Sequence, residues 1–203
     1  MNNIWPNTFI DVYEFVKQNT QNFDESHDVK HALKVYENAL KIVEYDYTSS
    51  TYVKLDKDII MFAAMLHDVC DHKYPDSISL VELKRFISSK LGNGKANTIM
   101  EIIDNISYSK EVRGDRKDVH HPYLDIISDA DKLEAIGRQG IYRCYAYSKT
   151  KNPNLDEDSI KTLVKIHCRE KLLKLKDEYI RTTAGKAMAI PLHEDVIEWM
   201  VAN

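Results

Sequence analysis

Asp58-Ile59-Ile60-Met61-Phe62-Ala63-Ala64-Met65-Leu66-His67-Asp68-Val69-Cys70-Asp71-His72 is the stretch on which the reading of this chain turns. Its apolar run, Ile59 to Leu66, would be apolar on every side of a helix and is too short to cross a bilayer, so it predicts a buried helix. An imidazole and a carboxylate stand side by side where the run ends, and Asp71 and His72 follow. Burying one ionisable group costs several kcal/mol unless it is paired or coordinated, and here several arrive together. A divalent metal accounts for such a cluster, since neutral imidazole nitrogen and carboxylate oxygen are ordinary ligands. A His-Asp dipeptide by itself carries little information, so the flanking sequence has to supply the rest.

Outward from that stretch the signal is helical. Phe9, Val12, Tyr13 and Val16 have helical spacing and predict a short first helix. After a polar break (Gln18 to Asp24), Glu25 to about Tyr45 reads as a second helix, with Ala32, Val35, Ala39, Ile42 and Val43 on its apolar face and Ser26 as its expected N-cap. His27 and His31 are four residues apart and share one side of it. Beyond the central stretch, Ser79-Leu80-Val81-Glu82 is a capping box opening an amphipathic helix that Gly92 stops. Ile99, Ile102, Ile103 and Ile106 form the stripe of another helix. Tyr108 to His121 reads as a long polar loop of the kind that serves as a lid or binding segment. A helix is expected from Pro122, two more around Ile136 to Tyr147 and Ile160 to Leu175, and a last one over Thr183 to Met200, where Pro191 should kink or split it. With no strand alternation and no internal repeat, the expectation is an all-α single domain spanning residues 1–203.

Composition narrows the function classes. A chain of 203 residues, 43% hydrophobic and 30% charged, is that of an ordinary globular protein. Its net charge of -4 argues against a broad nucleic-acid-binding face. Cys70, Cys144 and Cys168 are odd in number and widely spaced, which predicts reduced thiols and an intracellular, cytoplasmic protein. Met1 to Ile10 has neither a basic nor an apolar signal region, and no segment approaches the ~18 apolar residues of a membrane helix.

Three predicted helices therefore offer metal-ligand types: His27 or His31, His67 with Asp68, and Asp129 or Asp131. A mixed set of imidazoles and carboxylates suits Mn²⁺, Fe²⁺, Co²⁺ or Ni²⁺, and Mg²⁺ where phosphates add oxygens. A cation held there can activate water and neutralise phosphate charge, which phosphoester or phosphoanhydride hydrolysis requires.

The order His31, then His67-Asp68, then Asp131 resembles the H…HD…D pattern of the HD-superfamily metal-dependent phosphohydrolases. Local stretches sharpen the likeness to a small nucleotide pyrophosphohydrolase-like subgroup: His27-Asp28-Val29-Lys30-His31, Ala63 to Asp68, Asp129-Ala130-Asp131-Lys132-Leu133-Glu134-Ala135-Ile136-Gly137, and Glu170-Lys171-Leu172-Leu173. The resemblance implies one divalent ion, Mn²⁺ first, on His31, His67, Asp68 and Asp131. Asp131 is preferred to Asp129 because the family's last ligand precedes a basic-Leu pair, which leaves Asp129 as a cap or supporting partner. It implies Asp71 as the acid or base that handles the proton of the attacking water. His27, Lys73, Tyr74, Arg138 and Lys171 are the residues expected to contact substrate phosphates. His120-His121 resembles the paired histidines of two-metal relatives, but Pro122 follows where an acid is needed, so one metal is expected. The implied activity is hydrolysis of a nucleoside triphosphate to monophosphate and pyrophosphate. The alternatives are a nucleoside-monophosphate phosphatase, an alarmone hydrolase, or a non-catalytic nucleotide- or metal-binding module.

Overall fold

Every side chain from Ile59 to Leu66 is buried, and the rest of the chain is wrapped around that run. The computed structural model describes residues 7–24, 27–47, 55–116 and 122–203. It is all-α, with no strand among the described residues: α1 (Asn7–Asn19), α2 (Val29–Tyr47), α3 (Lys57–Leu66), α4 (Leu80–Asn105), α5 (Tyr108–Arg113), α6 (Pro122–Ala135), α7 (Gly137–Lys151), α8 (Glu157–His167) and α9 (Thr183–Ala202). The central helix α3 packs against α1, α2, α4 and α6, which explains why it needs apolar residues on all its faces. Full burial of a large aliphatic or aromatic side chain stabilises by about 1.5–3 kcal/mol, so α3 anchors the core. Its start is set by Asp56, whose carboxylate accepts the N–H of Asp58 at 2.9 Å.

Helix α2 is the second organiser. Ala32, Val35, Ala39 and Ile42 are buried at helical spacing, and the helix packs against α3, α6 and α9. The expected cap, Ser26, lies outside the described residues; Asp28 caps the helix instead, its carboxylate accepting the N–H groups of Lys30 (2.8 Å) and His31 (3.0 Å). The Ser79–Glu82 capping box forms in both directions. Gly92, at φ +77°, divides α4 into two helical halves, as its lack of a Cβ allows.

Two expectations are corrected. The segment from Tyr108 is not loop throughout: residues 108–113 form α5, ended by Gly114, while residues 117–121, His120 and His121 among them, lie outside the described part. Pro191 does not split the last helix. It sits inside α9, exposed, and the Ala187 carbonyl it deprives of a partner belongs to another exposed residue, where water can replace the lost bond. Two π-helical turns, Cys168–Leu172 and Leu175–Tyr179, follow α8 and were not foreseen.

The start of α9 is tied to two other helices. Asp129 of α6 accepts the N–H groups of Arg181 (2.9 Å) and Thr182 (2.6 Å), and Asp46 of α2 accepts that of Ala184 (3.0 Å). The Thr182 hydroxyl caps Gly185, where a Cβ would lie 2.5 Å from that hydroxyl and 3.1 Å from an Asp129 oxygen, so only glycine fits.

Candidate metal centre

Three elements that pack on one another carry the candidate ligands. His31 lies in the first turn of α2, His67 and Asp68 in the turn directly after α3, and Asp131 near the C-terminal end of α6. Their side chains converge. The Nε2 atoms of His31 and His67 are 3.2 Å apart. Asp68 Oδ2 is 3.1 Å from His67 Nε2 and 3.4 Å from His31 Nε2. Asp131 Oδ1 is 3.5 Å and 3.7 Å from His31 Nε2 and His67 Nε2. One further bond sets the register: Asn38, two turns beyond His31 on α2, is buried and donates to the carbonyl of Ala130, the residue before Asp131 (3.3 Å).

This arrangement fits a cation. Metal–ligand bonds of about 2.1 Å put neighbouring donor atoms about 3.0 Å apart at octahedral angles and about 3.4 Å apart at tetrahedral ones. His31, His67 and Asp131 each offer one donor atom to a common point, and Asp68 Oδ2 stands beside them. The ring of His67 is held in a ligating orientation, because its Nδ1–H donates to the Ala64 carbonyl at 2.8 Å and the lone pair of Nε2 then faces the cluster.

The electrostatics agree. Burial alone would push the His31 imidazole down, but the carboxylates of Asp131 and Asp68 outweigh it and hold the ring at about 9. His67 is raised for the same reasons, burial being offset chiefly by Asp68. Burial works to raise Asp68 and Asp131, yet the two imidazoles keep both below the ordinary carboxylate range. The cluster attracts positive charge strongly, and protons satisfy it when nothing else does.

A second group stands beside it. His27 Nε2 is 3.6 Å from Asp71 Oδ2, and Lys73 Nζ is 3.1 Å from the same oxygen and 3.4 Å from His27 Nε2. The Tyr74 hydroxyl lies 3.0 Å from His27 Nδ1. The rings of His27 and His31 are 6.3 Å apart, so the pair spans from the rim to the ligand cluster. Four expected residues, His27, Asp71, Lys73 and Tyr74, are thus brought together next to His31.

Arg138 and Lys171 are not brought to that group by any contact among the described residues. Arg138 is largely exposed on α7 and pairs with Asp195 (2.9 Å) and Glu198 (3.7 Å) of α9. Lys171 lies over the Tyr108 ring at 4.8 Å. Asp129 serves the start of α9, as its reading as a supporting residue anticipated. Sequence reasoning missed Asn38 and Asp24: the partner of Asn38, Ala130, is distant in the chain, and Asp24 joins its near neighbour His27 to the distant Tyr74.

Comparison with known proteins bears on this geometry. The family model described as "HD domain" matches residues 28–136, more than half of the chain and the span from Asp28 through Asp131. The chain belongs to the HD-domain family. YpgQ of Bacillus subtilis is 29% identical over 186 residues, 87% of this chain and 83% of YpgQ. Protein L803 of Acanthamoeba polyphaga mimivirus is 32% identical over 159 residues, 69% of this chain and 63% of the viral protein. The fold superimposes on the crystal structure of YpgQ in complex with ADP with a TM-score of 0.72 at 24% identity, covering 96% of this chain and 94% of that one. An HD-superfamily hydrolase from Bacillus thuringiensis gives 0.70, again at 24% identity, covering 96% and 94%. Among the described residues no helix is long and apolar enough to cross a membrane.

Proposed function

We propose that this HD-domain protein is a divalent-metal-dependent phosphohydrolase acting on a nucleotide, cleaving a nucleoside triphosphate to monophosphate and pyrophosphate. The convergence of His31, His67, Asp68 and Asp131 carries the reading, since two imidazole nitrogens and two carboxylate oxygens at bonding separations are a cation's donor set. A bound divalent ion, Mn²⁺ first with Mg²⁺, Co²⁺, Ni²⁺ and Fe²⁺ as alternatives, supplies a lowered pKa for water and charge neutralisation at phosphate. Asp71, mostly buried and paired with Lys73, takes the proton from the attacking water at its carboxylate. Lys73 Nζ binds non-bridging phosphate oxygens, and His27, its Nε2 3.4 Å from that ammonium and its ring backed by Tyr74, orients it. Arg138 and Lys171 contact the more distant phosphates once substrate is bound. The ADP complex of YpgQ supports a nucleotide as the ligand class.

One observation favours a second reading, a nucleoside-monophosphate phosphatase. Lys73 and His27 adjoin the cluster, whereas Arg138 and Lys171 are engaged with Asp195, Glu198 and Tyr108. One or two basic groups suffice for one phosphate, while a triphosphate needs several in line. Assay of the purified protein against nucleoside mono-, di- and triphosphates with each metal, and with chelator, separates the readings. Pyrophosphate release is expected from triphosphates; orthophosphate release from monophosphates alone selects the second reading. No release with any ion overturns both and leaves a binding module.

A further inference from the structure

We propose that Asp24 is a positioning residue of the site: it staples the loop carrying His27 to the loop carrying Asp71 and Lys73, and sets which ring nitrogen of His27 faces them. The inference rests on the hydrolase reading for its kinetic test only. Asp24 and His27 lie between α1 and α2, and Asp71, Lys73 and Tyr74 lie between α3 and α4, so both groups stand outside regular helices. One carboxylate joins them. Asp24 Oδ1 is 3.2 Å from His27 Nδ1, and the Tyr74 hydroxyl donates to Asp24 Oδ2 at 2.7 Å. Beside this joint the Phe23 and Tyr74 rings stack at 3.9 Å and 10°, so an apolar contact closes the same gap.

The consequence falls on His27. A carboxylate accepts hydrogen bonds and donates none, so the neutral ring meets Asp24 with its proton on Nδ1. The lone pair is then on Nε2, the atom 3.4 Å from the Lys73 ammonium and 3.6 Å from Asp71. Without Asp24, an imidazole prefers its proton on Nε2, which would turn a donor toward Lys73. Outer partners that fix an imidazole this way are worth about 10- to 100-fold in affinity or activity. Asn can stand in for Asp24, because its amide oxygen accepts from His27 Nδ1–H while its amide N–H donates to the Tyr74 hydroxyl.

The test separates positioning from folding. Asp24 is 64% exposed, so its substitution is expected to leave the melting temperature and metal affinity unchanged. Long-range ¹⁵N–¹H spectra of the metal-free protein at alkaline pH, with His27 assigned by comparison with His27→Asn, should show wild-type His27 protonated on Nδ1. Asp24→Ala should move it toward the Nε2–H form. With the preferred nucleotide and metal, kcat/KM should fall about 10-fold in Asp24→Ala and be largely kept in Asp24→Asn. Wild-type His27 protonated on Nε2, or Asp24→Ala that shifts neither tautomer nor kcat/KM, overturns the proposal. If the wild type hydrolyses no nucleotide, the hydrolase reading fails and the imidazole spectra still decide the positioning.

Discussion

Helix α6 contributes to two buried clusters of charge through consecutive residues, Asp131 to one and Lys132 to the other, about 100° apart around the helix. Around Lys132 the charges answer one another. Its ammonium is 2.8 Å from Glu111 and donates to Ser128 at 2.5 Å, Arg116 reaches Glu111 at 3.0 Å, and Arg181 meets the same carboxylate. Burial pulls the Lys132 ammonium below its ordinary value, and the facing Glu111 carboxylate opposes that. Around Asp131 two carboxylates face two imidazoles, which carry charge only by taking up protons. Buried charge therefore does not by itself mark a site. A cluster with its counter-ions built in holds helices together, and one without them has room in its electrostatics for a cation.

Breaking each cluster should give opposite phenotypes, and the largest effect is expected in the centre around Asp131. Asp68→Ala should lower phosphohydrolase activity by at least about a thousandfold and abolish tight binding of Mn²⁺ by titration calorimetry, while helical content by circular dichroism stays unchanged. A variant that still binds the ion with native affinity would remove Asp68 from the ligand set.

Glu111→Ala is the counterpart. It leaves the buried Lys132 without its carboxylate and should cost about 3–5 kcal/mol of stability in denaturant titration, with metal affinity per folded molecule retained. The pH dependence sharpens this contrast. Burial works to raise the Glu111 carboxyl, but Lys132 and then Arg181 hold it below its ordinary value of 4.5. A depressed carboxylate contributes its full stabilisation above that ordinary value and loses it as pH falls through the folded one. The melting-temperature gap between wild type and Glu111→Gln should therefore be widest near neutrality and narrow below about pH 4.5.

Asn38→Ala tests the link between the helices that carry His31 and Asp131. Loss of its bond to the Ala130 carbonyl should cost about 1–2 kcal/mol and weaken metal binding several-fold. His72 sets the floor of the series. Its side chain is 96% exposed although it stands in the motif stretch, so His72→Ala should change neither stability nor metal affinity measurably.

The helices were legible because their causes are local. Period-3.6 apolar stripes, the Ser79–Glu82 box and Gly92 act within a few residues of one another, and the structure follows them closely. The departures came where the cause was distant or permissive. Residues 108–113 have no apolar stripe to announce a helix, and Glu111 binds that turn to α6 and Arg181 through partners elsewhere in the chain. Pro191 stays in α9 because its solvent-facing side tolerates a missing bond, a property of exposure rather than of the residue.

The candidate centre divides along the same line. Which chemical groups are present, and that they lie on or beside three helices, follows from the order of residues alone, because ligand types and helical periodicity are encoded within single elements. Whether His27 or His31, and Asp129 or Asp131, turns toward His67 depends on where α2 begins and on how α2 and α6 are set against α3. That arrangement is fixed by the packing of whole apolar faces and by contacts such as Asn38 with Ala130 and Asp129 with the start of α9. Only the assembled tertiary structure contains those interactions, so only it brings His31 and Asp131 to the cluster and assigns Asp129 to the α9 cap.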